Sequence, residues 1–251
     1  METTGRFRRS GVIARNTLAF EVELASGSAF DFEPGQYVYL EWKDPASGIR
    51  SGDGRNFSIA SPPKDLPILS FATRLTGSSF KNSLLTLPEG SPMFVSGPYG
   101  EFCLPVCLGK RRNDFWDAPV ALIAGGIGIT PFRSMLLHAT DACQNMSFFL
   151  FTINPTAEDI PFRLELDNLS ETHKNLFLCQ HVFRSDGVLP PEVNLGPLTP
   201  DKIFGIMGQK ALKGSYFVSG PPSMVTSFRS ALLEAGILPG QIHTDVFFGY
   251  S

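Results

Sequence analysis

Cysteine is scarce in this sequence and its spacing suits no metal: Cys103 and Cys107 are four apart, and Cys143 and Cys179 stand alone. That excludes a zinc site of the CxxC type, a cysteine set for an iron–sulfur cluster and a disulfide framework. The cysteines are expected to be reduced, packed residues. Histidine is equally sparse; His138, His173, His181 and His243 are scattered without metal-ligand spacing, so no metal site is expected. There is no GxSxG or other serine-nucleophile signature. No apolar run approaches the length of a membrane span, and the start, METTGRFRRSG, lacks the apolar core of a signal peptide. A soluble, cytoplasmic protein is the expectation. Basic residues cluster only at Arg6, Arg8 and Arg9, and the formal net charge is −3, which leaves nucleic acid little to bind. That short cluster reads as a solvated N-terminal tail.

What is present is a large apolar fraction, 43% of 251 residues, enough for one large domain or two of ordinary size. The first part reads as β structure. Phe20, Val22 and Leu24 alternate with Glu21 and Glu23, as in a half-buried strand. Pro34-Gly35 turns the chain into a strand over 36–42, and 43–54 is a polar loop. Short strands are predicted over 56–60, 68–74 and 93–96, with turns at Pro62-Pro63, Gly77, Pro88 and Gly90. Strands at this spacing predict a small antiparallel β-barrel of the Greek-key kind. The pattern then changes, with a charged, aperiodic linker over 108–118. After it, apolar strands alternate with helices: strands over 120–124, 147–153, 176–183 and 216–219, the last taken as the final parallel strand, and helices from Thr130, over 160–170, and one ending at Gly236. This is βαβ logic and predicts an α/β domain with a parallel, Rossmann-like sheet. The expected division is a barrel domain over 1–112 and an α/β domain over 113–251, with a loop rich in proline and glycine over 185–199.

The chain is organised around 118–137, APVALIAGGIGITPFRSMLL. Val120 to Ala124 form the apolar run of a strand buried on both faces. Gly125, Gly126 and Gly128 allow a tight turn with no side chains to hold a ligand off the backbone. Thr130 is the expected N-cap, with Pro131 at the first helical position. Phe132, Met135, Leu136 and Ala139 follow at helical spacing. A strand, a glycine turn and a helix N-terminus together suit a phosphate group. The pattern is not GxGxxG, because Pro131 stands where a third glycine would be. The next strand also ends without an acidic residue for a ribose hydroxyl, so an ordinary dinucleotide-binding dehydrogenase fits poorly.

Two further stretches carry chemistry. In Arg55-Asn56-Phe57-Ser58-Ile59-Ala60-Ser61, an arginine can pair with a pyrophosphate, a phenylalanine can pack on a ring system and a serine can hydrogen-bond a ring nitrogen. Strand alternation puts Arg55 and Phe57 on one face and Ser58 on the other. Gly220-Pro221-Pro222 follows a parallel strand, at the edge where ligands gather in open α/β sheets. Taken singly, the three stretches also suit a turn without ligand, an edge strand with a surface arginine, and a plain helix start.

Their order along the chain resembles the ferredoxin–NADP⁺ reductase superfamily. RNFSIAS is similar to its flavin motif, FVSGPYGEF (94–102) to the Gly-Pro-x-Gly signature closing the barrel, GGIGITP to the nicotinamide-nucleotide pyrophosphate turn, and VSGPPSM to the late Cys-Gly-Pro segment. The C-terminal VFFGY resembles endings with an aromatic residue by the flavin. The resemblance implies a flavin on the barrel, FAD in preference to FMN, and NADH or NADPH on the α/β domain. It implies that Arg55 and its neighbour Asn56 contact the flavin, that Phe57 packs on the isoalloxazine and that Ser58 approaches its N5. Arg74, Gly77, Ser78 and Ser79 would make further phosphate contacts. Gly126, Ile127, Gly128 and Thr130 would hold the nicotinamide-nucleotide pyrophosphate. Gly220 and Pro221 would lie by the nicotinamide, with Ser219 and Asp245 as orienting groups. Phe248 or Tyr250 would cover the flavin face.

The implied activity is a flavin-dependent oxidoreductase that passes hydride from NAD(P)H to FAD and electrons on to a separate acceptor, a ferredoxin or an oxygenase component. The alternative is an electron-transfer or regulatory flavoprotein subunit with little NAD(P)H turnover. The sequence departs from the family pattern at two points. Ser219 replaces the usual cysteine and offers no thiol. The segment associated with a 2′-phosphate reads Thr152-Ile153-Asn154, without arginine, which favours NADH; Arg163 or Arg184 could substitute, so the coenzyme stays open.

Overall fold

The computed structural model describes residues 1–42, 52, 54–104, 118–142, 145–185 and 187–248. They fall in two compact units, one of Met1–Gly109 with Thr130–His138 and the other of Lys110–Ile129 with Ala139–Ser251. The expected boundary between 112 and 113 lies outside the described residues, as do Cys107, Cys143 and Tyr250. Among the described residues no helix is long and apolar enough to cross a membrane.

The first unit contains β1 (Glu2–Ala14), β2 (Thr17–Leu24), β3 (Tyr37–Trp42), β4 (Arg55–Ser58), β5 (Ile68–Arg74), the short helix α1 (Ser79–Ser83) and β6 (Pro92–Tyr99). The strands pair antiparallel in the order β4-β3-β6-β1-β2-β5. The two edges meet just past β4. There the Ala60 amide donates to the Ser70 carbonyl at 2.8 Å, and the Ser70 amide donates to Ser61 Oγ at 3.0 Å. That closes the sheet into a barrel and removes its free edges. The alternation read at Phe20, Val22 and Leu24 fills the interior, where the Phe20 ring lies 5.2 Å from both Phe57 and Phe71.

Arg6, Arg8 and Arg9 do not form a solvated tail. They lie on β1, whose Phe7 is buried between them, and Arg9 makes a 2.7 Å ion pair with Glu21 across the β1–β2 pair. The strand is hard to read because only Gly5 and Phe7 face inward near its start. At Gly5 a Cβ would crowd the Val22 side chain and the Glu23 carbonyl at 2.8 Å.

The second unit contains β7 (Val120–Gly125), α2 (Ile129–Ala142), β8 (Phe148–Asn154), α3 (Arg163–Thr172), β9 (Leu176–Val182), β10 (Val193–Leu195), α4 (Pro200–Met207), β11 (Ser215–Gly220), α5 (Pro222–Glu234) and β12 (Ile242–Val246). The middle of α2 groups with the first unit. All six strands run parallel in the order β10-β9-β8-β7-β11-β12. Ala121, Ile123, Phe151, Ile153, Tyr216 and Val218 line one face and pack against Ile203 and Met207 of α4 and Val225, Phe228 and Leu232 of α5. The last three are the face expected for that helix, and Gly236 follows its end with φ +90°.

Three expectations for this unit are corrected. The helix predicted over 160–170 starts later, at Arg163, because Phe162 takes a left-handed conformation with φ +56°. The loop over 185–199 contains the short edge strand β10. The strand over 216–219 is not the last, since β12 pairs parallel beside it. The residues of β12 are half-buried or exposed, so it lacks the apolar run that marks β7.

Gly35 is the position in the barrel unit where a side chain is least tolerable. Its φ is +105°, and a Cβ would run into the Phe102 carbonyl oxygen and the Met135 methyl. Gly35→Ala is expected to lower stability by about 3 kcal/mol. Gly11→Ala, with no atom within 4 Å of the added methyl, should stay within about 0.5 kcal/mol of the parent. Urea unfolding of the two variants tests the contrast.

Candidate functional site

In the second unit the site is built at the carboxyl ends of the parallel strands. The apolar run Val120–Ala124 becomes β7, fully buried, and passes through a single three-ten turn, Gly126–Gly128, directly into α2. Thr130 is therefore not the N-cap. It is the second residue of α2 and is buried, and the cap position falls to Gly125. The turn itself is helical, which moves the helical start ahead of the expected cap.

The glycines of the turn serve different needs. Gly126 has φ +53°, is half-buried, and has no atom within 4 Å of where a Cβ would stand. Its backbone is open to a ligand. Gly128 is packed so closely that a Cβ would run into the Ser219 carbonyl. Ile127 is buried. Gly220, with φ +151°, and Pro221 lead into α5, close against Gly125.

Strand register exposes a pattern the linear sequence hides. Asp245, Ser219, Ala124, Thr152 and Gln180 occupy successive Cα-paired positions on β12, β11, β7, β8 and β9. They form one row across the sheet on one face. Ser219 Oγ, Thr152 Oγ1 and Gln180 Oε1 are buried without a hydrogen-bond partner, as are both amide atoms of Asn154 two residues further along β8. Orphaned polar atoms concentrated at one strand end fit a polar ligand or ordered water. Gln180 was missed by the sequence reading, although its amide nitrogen donates to Asp167 at 2.5 Å. Its signal was a lone polar residue at the register of Thr152. Beyond the same strand ends, Glu158, Arg163, Ser185 and Val188 line a cavity of about 150 Å³. Arg163 lies 3.6 Å from the Asp167 carboxylate. Phe248, past the end of β12, is 82% exposed.

In the barrel unit, Phe57 is buried. It pairs with Val38 across β3–β4 and sits in the core, with ring centroids 5.7 Å from Phe80 and 6.1 Å from Phe71. The inward side of β4 takes the large apolar residue because barrel closure leaves an interior to fill. Asn56, exposed, and Ser58, buried, lie on the other side, paired with Tyr39 and Tyr37. The Tyr37 ring is 5.7 Å from Tyr99. These tyrosines were missed because the motif drew attention to Phe57.

At the start of α1, Gly77 has φ +82° and open space where a Cβ would stand, Ser78 Oγ caps the Lys81 amide at 3.4 Å, and Ser79 is exposed. Arg74, half-buried, ends β5 just before this turn. Burial pushes the Lys81 ammonium below its usual range, and the positive charge of Arg55 adds to that. Two cations that repel beside a turn with open backbone fit an anionic group such as a pyrophosphate. Lys81 had no signal beyond its place after TGSS. Among the described residues no cluster of three or more His, Cys, Asp or Glu side chains could hold a metal ion. The buried thiols of Cys103 and Cys179 are both pushed up, Cys103 to about 12, chiefly by burial.

Asp245, at the end of the polar row, has a carboxyl pushed up to about 6, chiefly by burial. The folded state thus holds this proton more tightly than the unfolded chain, so stability is lost as pH rises from about 4 through about 6. Asp245→Asn is expected to raise stability at pH 7.5 by on the order of 2 kcal/mol, with little gain at pH 4. Thermal melts across that range would contradict the assignment if the gain did not depend on pH.

Comparison with known proteins agrees with this architecture. The family described as oxidoreductase NAD-binding domain matches residues 122–230. The sulfhydrogenase 2 subunit gamma of Pyrococcus furiosus is 28% identical over 85% of this chain and 71% of its own length. The ferredoxin–NADP reductase B of Sorangium cellulosum is 34% identical, over 59% of this chain and 56% of that protein. A crystal structure of a ferredoxin NADP⁺ reductase from Neisseria gonorrhoeae with bound FAD and NADP superposes with a TM-score of 0.77 at 19% identity, covering 98% of this chain and 99% of that one. The closed antiparallel barrel and the parallel sheet with a glycine turn at its strand ends share the two-domain fold of ferredoxin–NADP⁺ reductases, and residues 122–230 match an oxidoreductase NAD-binding domain.

Proposed function

We propose that the protein is a flavin-dependent NAD(P)H oxidoreductase that binds FAD on the barrel unit and NAD(P)H on the parallel-sheet unit, and delivers electrons to a separate acceptor. What supports the reading is that one chain holds two glycine turns with positive φ and open backbone, Gly77 ahead of α1 beside the cations Arg55 and Lys81, and Gly126 at the end of β7. A bound flavin would supply the redox chemistry, taking hydride from reduced nicotinamide and releasing electrons singly.

The residues of this chain bind and orient. Arg55, Lys81 and the Gly77–Ser79 turn would neutralise the flavin pyrophosphate, with Arg74 close in the chain. Ser58 would offer its hydroxyl to the flavin ring, next to Asn56. The ring contact expected of Phe57 would pass to Tyr37 and Tyr99. Gly126–Gly128 and the start of α2 would take the nicotinamide-nucleotide pyrophosphate. The orphaned Ser219 hydroxyl would position the nicotinamide beside Gly220 and Pro221, and Asp245 would tune the polarity there. No side chain has to act as a general base, so distance and orientation are the protein's contribution.

NADH is the proposed coenzyme. The buried end of β8 is neutral, and Glu158 stands with Arg163 at the neighbouring cavity, where a 2′-phosphate would meet a carboxylate. The acceptor we propose is a ferredoxin-like or oxygenase protein. The name of the Sorangium relative supports a ferredoxin, and that of the Pyrococcus relative supports work within a larger complex.

Anaerobic stopped-flow mixing of FAD-loaded protein with NADH and with NADPH tests the reading. The flavin band should bleach with NADH, and more slowly with NADPH. Gly126→Ala should raise the NADH concentration needed for half-maximal rate about tenfold, because a methyl would block the backbone approach, and should leave flavin content unchanged. Protein that holds flavin but bleaches with neither coenzyme would sink the reductase reading and favour an electron-transfer subunit.

A further inference from the structure

We infer that Arg133 and Ser134 of α2 are positioning residues that couple nucleotide occupancy of the glycine turn to flavin affinity on the barrel. The inference rests on the cofactor reading above. Ser134 is fully buried, and its Oγ donates to the Ser61 carbonyl at 2.7 Å; Arg133 Nη1 donates to the Ala60 carbonyl at 2.7 Å. Ala60 and Ser61 are the residues that close the barrel, through the Ala60 amide and the Ser61 hydroxyl. The amide just before them, Ile59 N–H, donates to the Gln36 carbonyl at 2.9 Å, and Ser58 precedes it at the end of β4. Two adjacent side chains of one helix thus hold the segment that directly continues the proposed flavin strand.

The other end of the connection is covalent. The helix continues without a break from Gly126–Gly128, and Ser134 lies about 9 Å along its axis from Gly128, at about 1.5 Å per residue. Apolar contacts already seat this part of the helix: Phe132 is 5.8 Å from Phe102, and Met135 lies where a Cβ on Gly35 would be. Such contacts tolerate sliding, whereas hydrogen bonds weaken steeply with distance and angle. Arg133 and Ser134 therefore make the barrel seam sensitive to the axial position of α2. A nucleotide gripped by the turn fixes that position, and a fixed seam holds β4 in the form that receives flavin. Linkage makes the effect reciprocal.

The test measures the dissociation constant of FAD from apoprotein, by quenching of flavin fluorescence, with and without saturating NAD⁺. In the parent protein NAD⁺ should tighten FAD about fivefold. The ratio should fall toward one in Ser134→Ala, with both ligands still bound. If that variant does not fold, Arg133→Met carries the test and should show the same fall, and Arg133→Lys, which keeps a donor, should recover part of the ratio. An unchanged ratio in Ser134→Ala or Arg133→Met overturns the coupling. A ratio of one in parent protein that binds both ligands also overturns it and leaves the cofactor reading intact. Parent protein that binds no FAD overturns both.

Discussion

The backbone of Gly128 rests against the Ser219 carbonyl so closely that no residue with a Cβ can stand there. That single approach sets much of the second unit. It requires β7 and β11 to be neighbours, as they are, with Ala124 paired to Ser219. It also sets where α2 begins, because the turn must clear β11 before the helix can start. With Gly128 committed to packing, only Gly126 keeps an open backbone. The glycines of one short turn thus divide between fold and ligand, and a substitution at each should fail for a different reason.

The parallel strands show the same division along their length. β7, β8 and β9 begin with buried apolar residues, as the inner strands of a parallel sheet do. Polar side chains appear at the carboxyl ends, and Ser219, Thr152, Asn154 and Gln180 carry buried atoms without partners. Each such atom costs about 1–3 kcal/mol when left unsatisfied. A sequence selected for stability alone would place valine at Thr152 and leucine at Gln180. Their gathering toward the carboxyl ends of β8, β9 and β11 fits a polar ligand or ordered water there. Asp245 is consistent with this, since burial holds its carboxyl well above the usual range at the end of the same row.

Much of the fold was legible because it depends on periodicity and on glycine. The alternation over 20–24, the unbroken apolar run of β7 and the helical spacing of Phe132, Met135, Leu136 and Ala139 are local patterns, and each became the expected element. The misses share a cause: they depend on partners distant in sequence. β1 is a strand because β2 and β6 flank it, not because of its own pattern. β12 is recognisable only beside β11. Gln180 matters through its register with Thr152, and Lys81 through the charge of Arg55. Among the candidate flavin residues, the motif did not show that Phe57 turns into the barrel core while Ser58 faces the other way beside Tyr37.

The position of Phe57 follows from closure. A barrel that joins its own edges encloses a fixed volume, and Phe20, Phe57, Phe71 and Phe80 fill much of it with rings in stacked, tilted and edge contacts. Turning Phe57 outward would leave a cavity the size of an aromatic ring, at a cost of roughly 3–5 kcal/mol if it resembles Phe→Ala truncation. The motif's aromatic residue is thus held inside by packing. The other side of β4 carries Ser58, which pairs with Tyr37, and the Tyr37 ring stands by Tyr99. A tyrosine there differs from a phenylalanine in having a hydroxyl that can hydrogen-bond as well as a ring face. Barrel closure therefore decides which side of β4 keeps its aromatic residue in the core and which side leaves tyrosines beside Ser58.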